Sequence, residues 1–177
     1  MMSFENNNHE KRSTYIQDLK KWDILIRPPC INLSKDDFSI ERSSDNEVAI
    51  RYSVSALKNV GTDSINQIVS IRSTKGQFID MDDFLNKIPY SLLTKKTFES
   101  LIKAGAFDCL ENNRNKLLNS IDIILIFSQA LEKEKLSNQH NLFNTKNNNE
   151  LLLNIPETSD FSFDEKLNNE FSSLGLY

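Results

Sequence analysis

Arg51 to Ile71 reads Arg-Tyr-Ser-Val-Ser-Ala-Leu-Lys-Asn-Val-Gly-Thr-Asp-Ser-Ile-Asn-Gln-Ile-Val-Ser-Ile. A short run of small and apolar residues, a turn closed by Gly61 and a second run with apolar residues at helical spacing predict a short helix, a tight turn and a second helix. The two must fold back on each other and bury their apolar sides against something else. The second helix then begins with backbone N–H groups that have no partner inside the helix, and a phosphate can sit on them. Such a contact reads no bases, so it would hold a duplex without selecting its sequence. The plain alternative for Gly61 is an ordinary turn between two packed helices.

The rest of the chain gives further elements. Glu10 to Trp22 predicts a helix with Tyr15, Ile16 and Leu19 on one face, closed at Asp23 where glycine is more usual. Ile24 to Ile26 is a short apolar strand stopped by Pro28-Pro29. Phe38 to Arg42 and Val48 to Tyr52 alternate as strands around Ser43-Ser44-Asp45-Asn46, which predicts a β-hairpin. Asp80 to Ile88 and Thr94 to Ala104 read as helices, the second ended by Gly105. Asp108 to Asn113 reverses the chain into one long helix from Arg114 to Leu131, completing a second hairpin. Asp164 to Leu174 is a short amphipathic helix, followed by Gly175-Leu176-Tyr177 as the start of a strand.

Composition limits what such a chain does. The net charge of −4 argues against a nucleic-acid binder, but the charge is uneven. Residues 51–120 hold ten Lys/Arg against seven Asp/Glu, whereas residues 1–50 and 121–177 are acidic by two and five charges. An excess of three positive charges predicts weak, salt-sensitive DNA affinity. Cys30 and Cys109 are too few and too far apart in sequence for a zinc site or a disulfide framework, and a reduced, cytoplasmic setting fits them. No signal peptide and no membrane-spanning apolar run is read.

These readings give a mainly α fold with a small β-hairpin (α+β) in four parts. Residues 1–52 form an N-terminal helix and β-hairpin region, and residues 53–136 a tandem helix-hairpin-helix module. Residues 137–162 are a flexible linker rich in Asn, Ser and Thr, and residues 163–177 a C-terminal stub.

The order of elements resembles a segment of the bacterial DNA polymerase III alpha subunit family, the replicative C-family polymerases. The landmarks run along nearly the whole chain. They are Met2-Ser3 with Lys11, Ile24 through Asn32, Ile50-Arg51-Tyr52 leading into Ala56 through Gly61, Gly76 to Phe84, Leu101 through Asp108, and Glu165 through Tyr177. The copy of the family's LIKAGAFD run at Leu101 through Asp108 is the most specific of these. The resemblance implies duplex (template–primer) DNA as a partner, held by its backbone at Lys58, Asn59, Val60, Gly61, Thr62, Lys103 and Gly105. Gln139-His140-Asn141-Leu142-Phe143 is similar to the family's sliding-clamp peptide. It implies clamp binding by Gln139, Leu142 and Phe143, with the rest of the DNA polymerase III holoenzyme as further partners.

Departures from the family pattern bear on function. Asp23, Ser53 and Asn59 stand where the family has glycine, and the Asn59 side chain lies where a phosphate should approach closely. The family's catalytic carboxylates are not matched, so no polymerase activity of the chain alone is expected, and no cofactor. The resemblance places Mg2+ in the parent polymerase. Asp80, Asp82 and Asp83 could suggest a two-metal site, but read better as a helix N-cap and first turn. A stand-alone protein-interaction piece or a non-functional remnant of a split gene are the rival readings. Lys58, Lys95, Lys96 and Lys103 have a plain alternative as a solvated helix face.

Overall fold

The computed structural model describes residues 18–19, 21–42, 48–140 and 153–174. Of the expected N-terminal helix only its end is described: residues 18, 19 and 21 are helical. Asp23 closes it at φ 54, with Ile24 N–H donating to Leu19 C=O at 3.1 Å, a Schellman-type bond. Aspartate thus takes a left-handed position that glycine would fill without side-chain cost.

The strands are β1 (Leu25–Arg27), β2 (Ser39–Arg42) and β3 (Val48–Arg51). β2 and β3 pair antiparallel, Ile40 opposite Ile50, as the predicted hairpin requires; its turn at 43–47 lies outside the described residues. β1 forms where the short apolar strand was expected, and what the sequence did not show is its pairing, parallel to β3 with Leu25 opposite Ala49, giving the order β1-β3-β2. Buried Arg51 fastens this sheet. Its guanidinium donates to both Glu41 carboxylate oxygens at 2.8 and 2.7 Å and to the Pro28 carbonyl at 2.8 Å. Those hydrogen bonds hold the Glu41 carboxyl below its usual range.

The helices follow as α1 (Thr62–Lys75), α2 (Met81–Lys87), a single 3-10 turn (Tyr90–Leu92), α3 (Lys95–Lys103), α4 (Arg114–Asn119), α5 (Ile121–His140) and α6 (Phe163–Leu174). Each short helix has a polar start. The side chains of Asp80, Thr94 and Asn113 accept from the backbone N–H of Asp83, Thr97 and Lys116. The mainly α fold with a small β part is thus what forms. One apolar core joins sheet and helices, centred on Phe78, Phe84, Phe98 and Phe107.

Three expectations change. The long helix from Arg114 to Leu131 is two helices, broken at Ser120, whose N–H donates to Leu117 C=O and whose C=O accepts from Ile124 N–H. Ser120 stands at φ −105 and ψ 9, off the helical values, which ends α4 and starts α5. α5 also runs on to His140, into the segment read as linker. Residues 153–162, read as part of that flexible linker, lie instead along the body. Leu153 and Ile155 pack on the core, and Asn113 and Asn115 donate to the carbonyls of Thr158 and Ser159 at 2.5 and 2.7 Å. Two apolar residues and a few polar anchors suffice, although the average composition looks disordered.

Candidate nucleic-acid interface

The first predicted hairpin is tighter than expected. Residues 54–60 form consecutive turns rather than a helix, with Leu57 N–H donating to Val54 C=O and Val60 N–H to Leu57 C=O. The left-handed residue is Asn59, at φ 61, and Gly61 has an ordinary φ of −77. Asparagine tolerates that region better than most residues, so the turn closes without a glycine. Two neighbours fix it. Thr97 Oγ1 on α3 donates to the Asn59 carbonyl at 3.2 Å, and Lys58 N–H donates to the Ser173 carbonyl in the last turn of α6 at 3.2 Å.

α1 starts immediately after this turn. Gly61 is its N-cap, and no side chain caps the helix. Gly61 and Thr62 are exposed and Val60 is half-buried against the core. A Cβ on Gly61 would meet only Ser64 Oγ, at 3.8 Å, an ordinary contact. Nothing in the local packing therefore demands glycine here. Asp63, in the first turn, counters part of the positive end of the helix.

Beside the turn lies an open groove of about 380 Å³ lined by Lys58, Asn59, Lys96, Glu99, Lys103 and the α6 serines Ser172 and Ser173. Lys96 and Lys103 are seven residues apart and so share one face of α3. Lys103 pairs with Glu99 at 2.6 Å, whereas among the described residues Lys58 and Lys96 have no ion pair. The groove thus gathers three cations against one carboxylate. Lys95 points elsewhere, onto Asp122 of α5 at 2.6 Å. The contribution of α6 was not readable in sequence, because no local signal says that Ser172 and Ser173 dock beside Lys58.

Gly105 lies apart from this groove. It is buried at φ 75, under the guanidinium of Arg114. Arg114 bonds both oxygens of Asp108 at 2.8 and 2.6 Å and Glu170 Oε1 at 2.7 Å. The fold alone accounts for a glycine at this position.

The three aspartates are occupied as the helix reading expects. Asp80 caps α2, Asp83 pairs with Lys87 at 2.7 Å, and Asp82 Oδ1 accepts from Leu153 N–H at 3.2 Å. Among the described residues no group of His, Cys, Asp or Glu is placed to hold a metal ion, and these carboxylates do not fit a two-metal site. No helix among the described residues is long and apolar enough to cross a membrane. Of the clamp-peptide positions, Gln139 falls in the last turn of α5, while Leu142 and Phe143 lie outside the described residues.

Comparison with known proteins agrees with this geometry. The helix-hairpin-helix motif family matches residues 23–117, more than half of the chain. DNA polymerase III subunit alpha of Mycobacterium leprae is 33% identical over 100% of the chain. The corresponding subunit of Campylobacter jejuni is 32% identical over 100%, and that of Caulobacter vibrioides 28% over 99%. The chain spans about 15% of the length of each of these relatives. The chain thus belongs to the helix-hairpin-helix family and, along its whole length, is a relative of DNA polymerase III subunit alpha.

Proposed function

We propose that this chain acts in DNA replication by holding duplex DNA through its backbone, without base selection, and by docking to a sliding clamp. Polymerisation and its Mg2+ belong to other parts of such a polymerase. The start of α1 carries the DNA reading: an exposed helix N-terminus without a side-chain cap, behind a glycine that packing does not require, next to a groove with two lysines that have no ion pair among the described residues. Backbone N–H groups and lysines are what a phosphate row needs.

The test is binding of a labelled primed duplex across a salt series. Affinity should fall steeply with salt and ignore sequence. Lys58→Glu and Lys96→Glu should each lower the log–log salt slope by about 1. Gly61→Val should weaken binding at a stability cost of no more than about 1 kcal/mol, the loss of a better N-cap residue. No binding by the unaltered chain even at low salt would refute the reading.

Clamp docking rests on Gln139, Leu142 and Phe143. Two apolar anchors filling a partner's pocket contribute about 1.5–3 kcal/mol each when fully buried. Leu142→Ala/Phe143→Ala should therefore reduce clamp affinity more than about tenfold, and leave duplex binding intact. An unchanged clamp affinity in a titration calorimeter would show that the peptide assignment is wrong.

A further inference from the structure

Cys30 and Cys109 are separated by 79 positions, yet their Sγ atoms lie 3.4 Å apart. The spacing that argued against a pair in sequence is closed by the fold. Cys30 lies just after Pro28-Pro29 at the end of β1, and Cys109 just after the turn that begins at Gly105. Both loops are tied down around the thiols. Ile31 N–H donates to Ala106 C=O at 2.8 Å, Cys30 N–H to Ser34 Oγ at 2.9 Å, and the Asn32 side chain bonds Phe78 N–H and C=O, each at 2.8 Å. Neither thiol is sealed from solvent: Cys30 is half-buried and Cys109 exposed.

We propose that Cys30 and Cys109 are an oxidation site, forming a reversible disulfide with hydrogen peroxide as oxidant and stapling the β-sheet region to the second hairpin. A disulfide requires an S–S distance of about 2.05 Å, so the sulfurs must close by little more than an ångström, within reach of small side-chain rotations. Cys30 is the attacking thiolate. The S–H of Cys109 donates to it and, with the backbone N–H groups of Asn32 and Leu33 and the charge of Arg51, outweighs burial to bring its pKa to about 6. The Arg72 guanidinium, bonded to Ile31 C=O at 2.6 Å, is the other cation beside it. The hydrogen bond to Cys30 and burial push Cys109 up, so it retains its proton.

The steps balance. Cys30 sulfur attacks one peroxide oxygen, forming S–O as O–O breaks, and the departing hydroxide takes up a proton to give water. Cys109 sulfur then attacks the Cys30 sulfenic acid, forming S–S as S–O breaks, and the second hydroxide leaves with the Cys109 proton as water. Two thiols lose two electrons and one peroxide is reduced to two waters.

The experiment treats the reduced full chain with hydrogen peroxide and maps its peptides without reduction. An intramolecular Cys30–Cys109 peptide is expected, with a mass loss of two hydrogens reversed by dithiothreitol. Closing so long a loop should raise Tm by roughly 10 °C. In Cys109→Ser, which keeps a donor to Cys30 but no resolving thiol, Cys30 should stop at sulfenic acid and be captured by dimedone. In Cys30→Ala, Cys109 should stay reduced at the same dose. Both thiols still open to alkylation after treatment, Cys30 advancing to sulfinic acid, or cross-links only between chains would each overturn the proposal.

Discussion

Gly105→Ala is expected to lower the free energy of unfolding by roughly 3–4 kcal/mol, read as a fall in the denaturant midpoint at unchanged slope. The backbone contributes first: at φ 75 an alanine costs about 1–2 kcal/mol that glycine does not. Contact contributes more. An added Cβ would stand 2.2 Å from Arg114 Nη2, 2.7 Å from its Cζ and 2.9 Å from Asp108 Oδ2. The guanidinium has no easy retreat, because its nitrogens are spent on Asp108 and Glu170, and its side chain is only 8% exposed. Pushing it aside uncouples a nearly buried cation from both carboxylates and loosens α6, which carries Glu170. Breaking a fully buried pair costs about 3–5 kcal/mol. Asp108 and Glu170 are 35% and 31% exposed, so water recovers part of that loss.

A second substitution separates strain from clash. In an Arg114→Ala background the added Cβ meets no guanidinium and the Asp108 carboxylate, 2.9 Å from it, is released from its ion pair and can turn away, so the cost of Gly105→Ala should fall towards the left-handed term, about 1–2 kcal/mol. If instead Gly105→Ala leaves stability within about 1 kcal/mol and removes duplex binding, Gly105 is a backbone contact as the family resemblance implied. Gly61 and Gly105 thus make opposite predictions: the first should affect binding far more than stability, the second stability first.

What could be read from the chain depended on whether the signal was local. The β-hairpin, the cap at Asp80, the left-handed close at Asp23 and the amphipathic α6 all rest on residues within a few positions of one another. Three features rest on distant partners and left no local trace: the parallel pairing of β1 with β3, the meeting of Cys30 with Cys109, and the docking of Ser173 beside Lys58. The first hairpin falls between these cases. Its position was legible, but Gly61 drew attention as the turn glycine while Asn59 carries the positive φ. Asparagine is enriched in that region, but a glycine two positions on is the stronger signal. The break at Ser120 was hidden because Arg114 to Leu131 keeps helical spacing across it. The lysines of the groove were readable as a set, yet only the fold separates Lys58 and Lys96, which have no ion pair among the described residues, from Lys95, which is held by Asp122.

Phe84→Ala should be the most damaging single change, about 3–5 kcal/mol. Phe84 is completely buried on α2 and touches three other rings. Its edge contacts Phe78 at 4.9 Å and 79° and Phe107 at 5.1 Å and 78°, and Phe98 lies tilted at 6.4 Å. These partners come from the segment before α2, the second hairpin turn and α3, so removing the ring opens a cavity where three parts of the chain meet. The relevant comparison is total stability, about 5–15 kcal/mol for a domain. The loss would take a marginal domain close to unfolding. Phe84→Leu separates burial from ring geometry: it keeps most of the apolar area but forfeits edge contacts worth about 0.5–1.5 kcal/mol each, so its cost should be less than that of alanine yet above 1 kcal/mol. Equilibrium urea unfolding followed by far-UV circular dichroism measures both. A cost below about 1 kcal/mol for Phe84→Ala would mean that the ring cluster does not hold α2, α3 and the second hairpin together. The lysine groove, carried on α3 and the turn at Asn59, would then need another support.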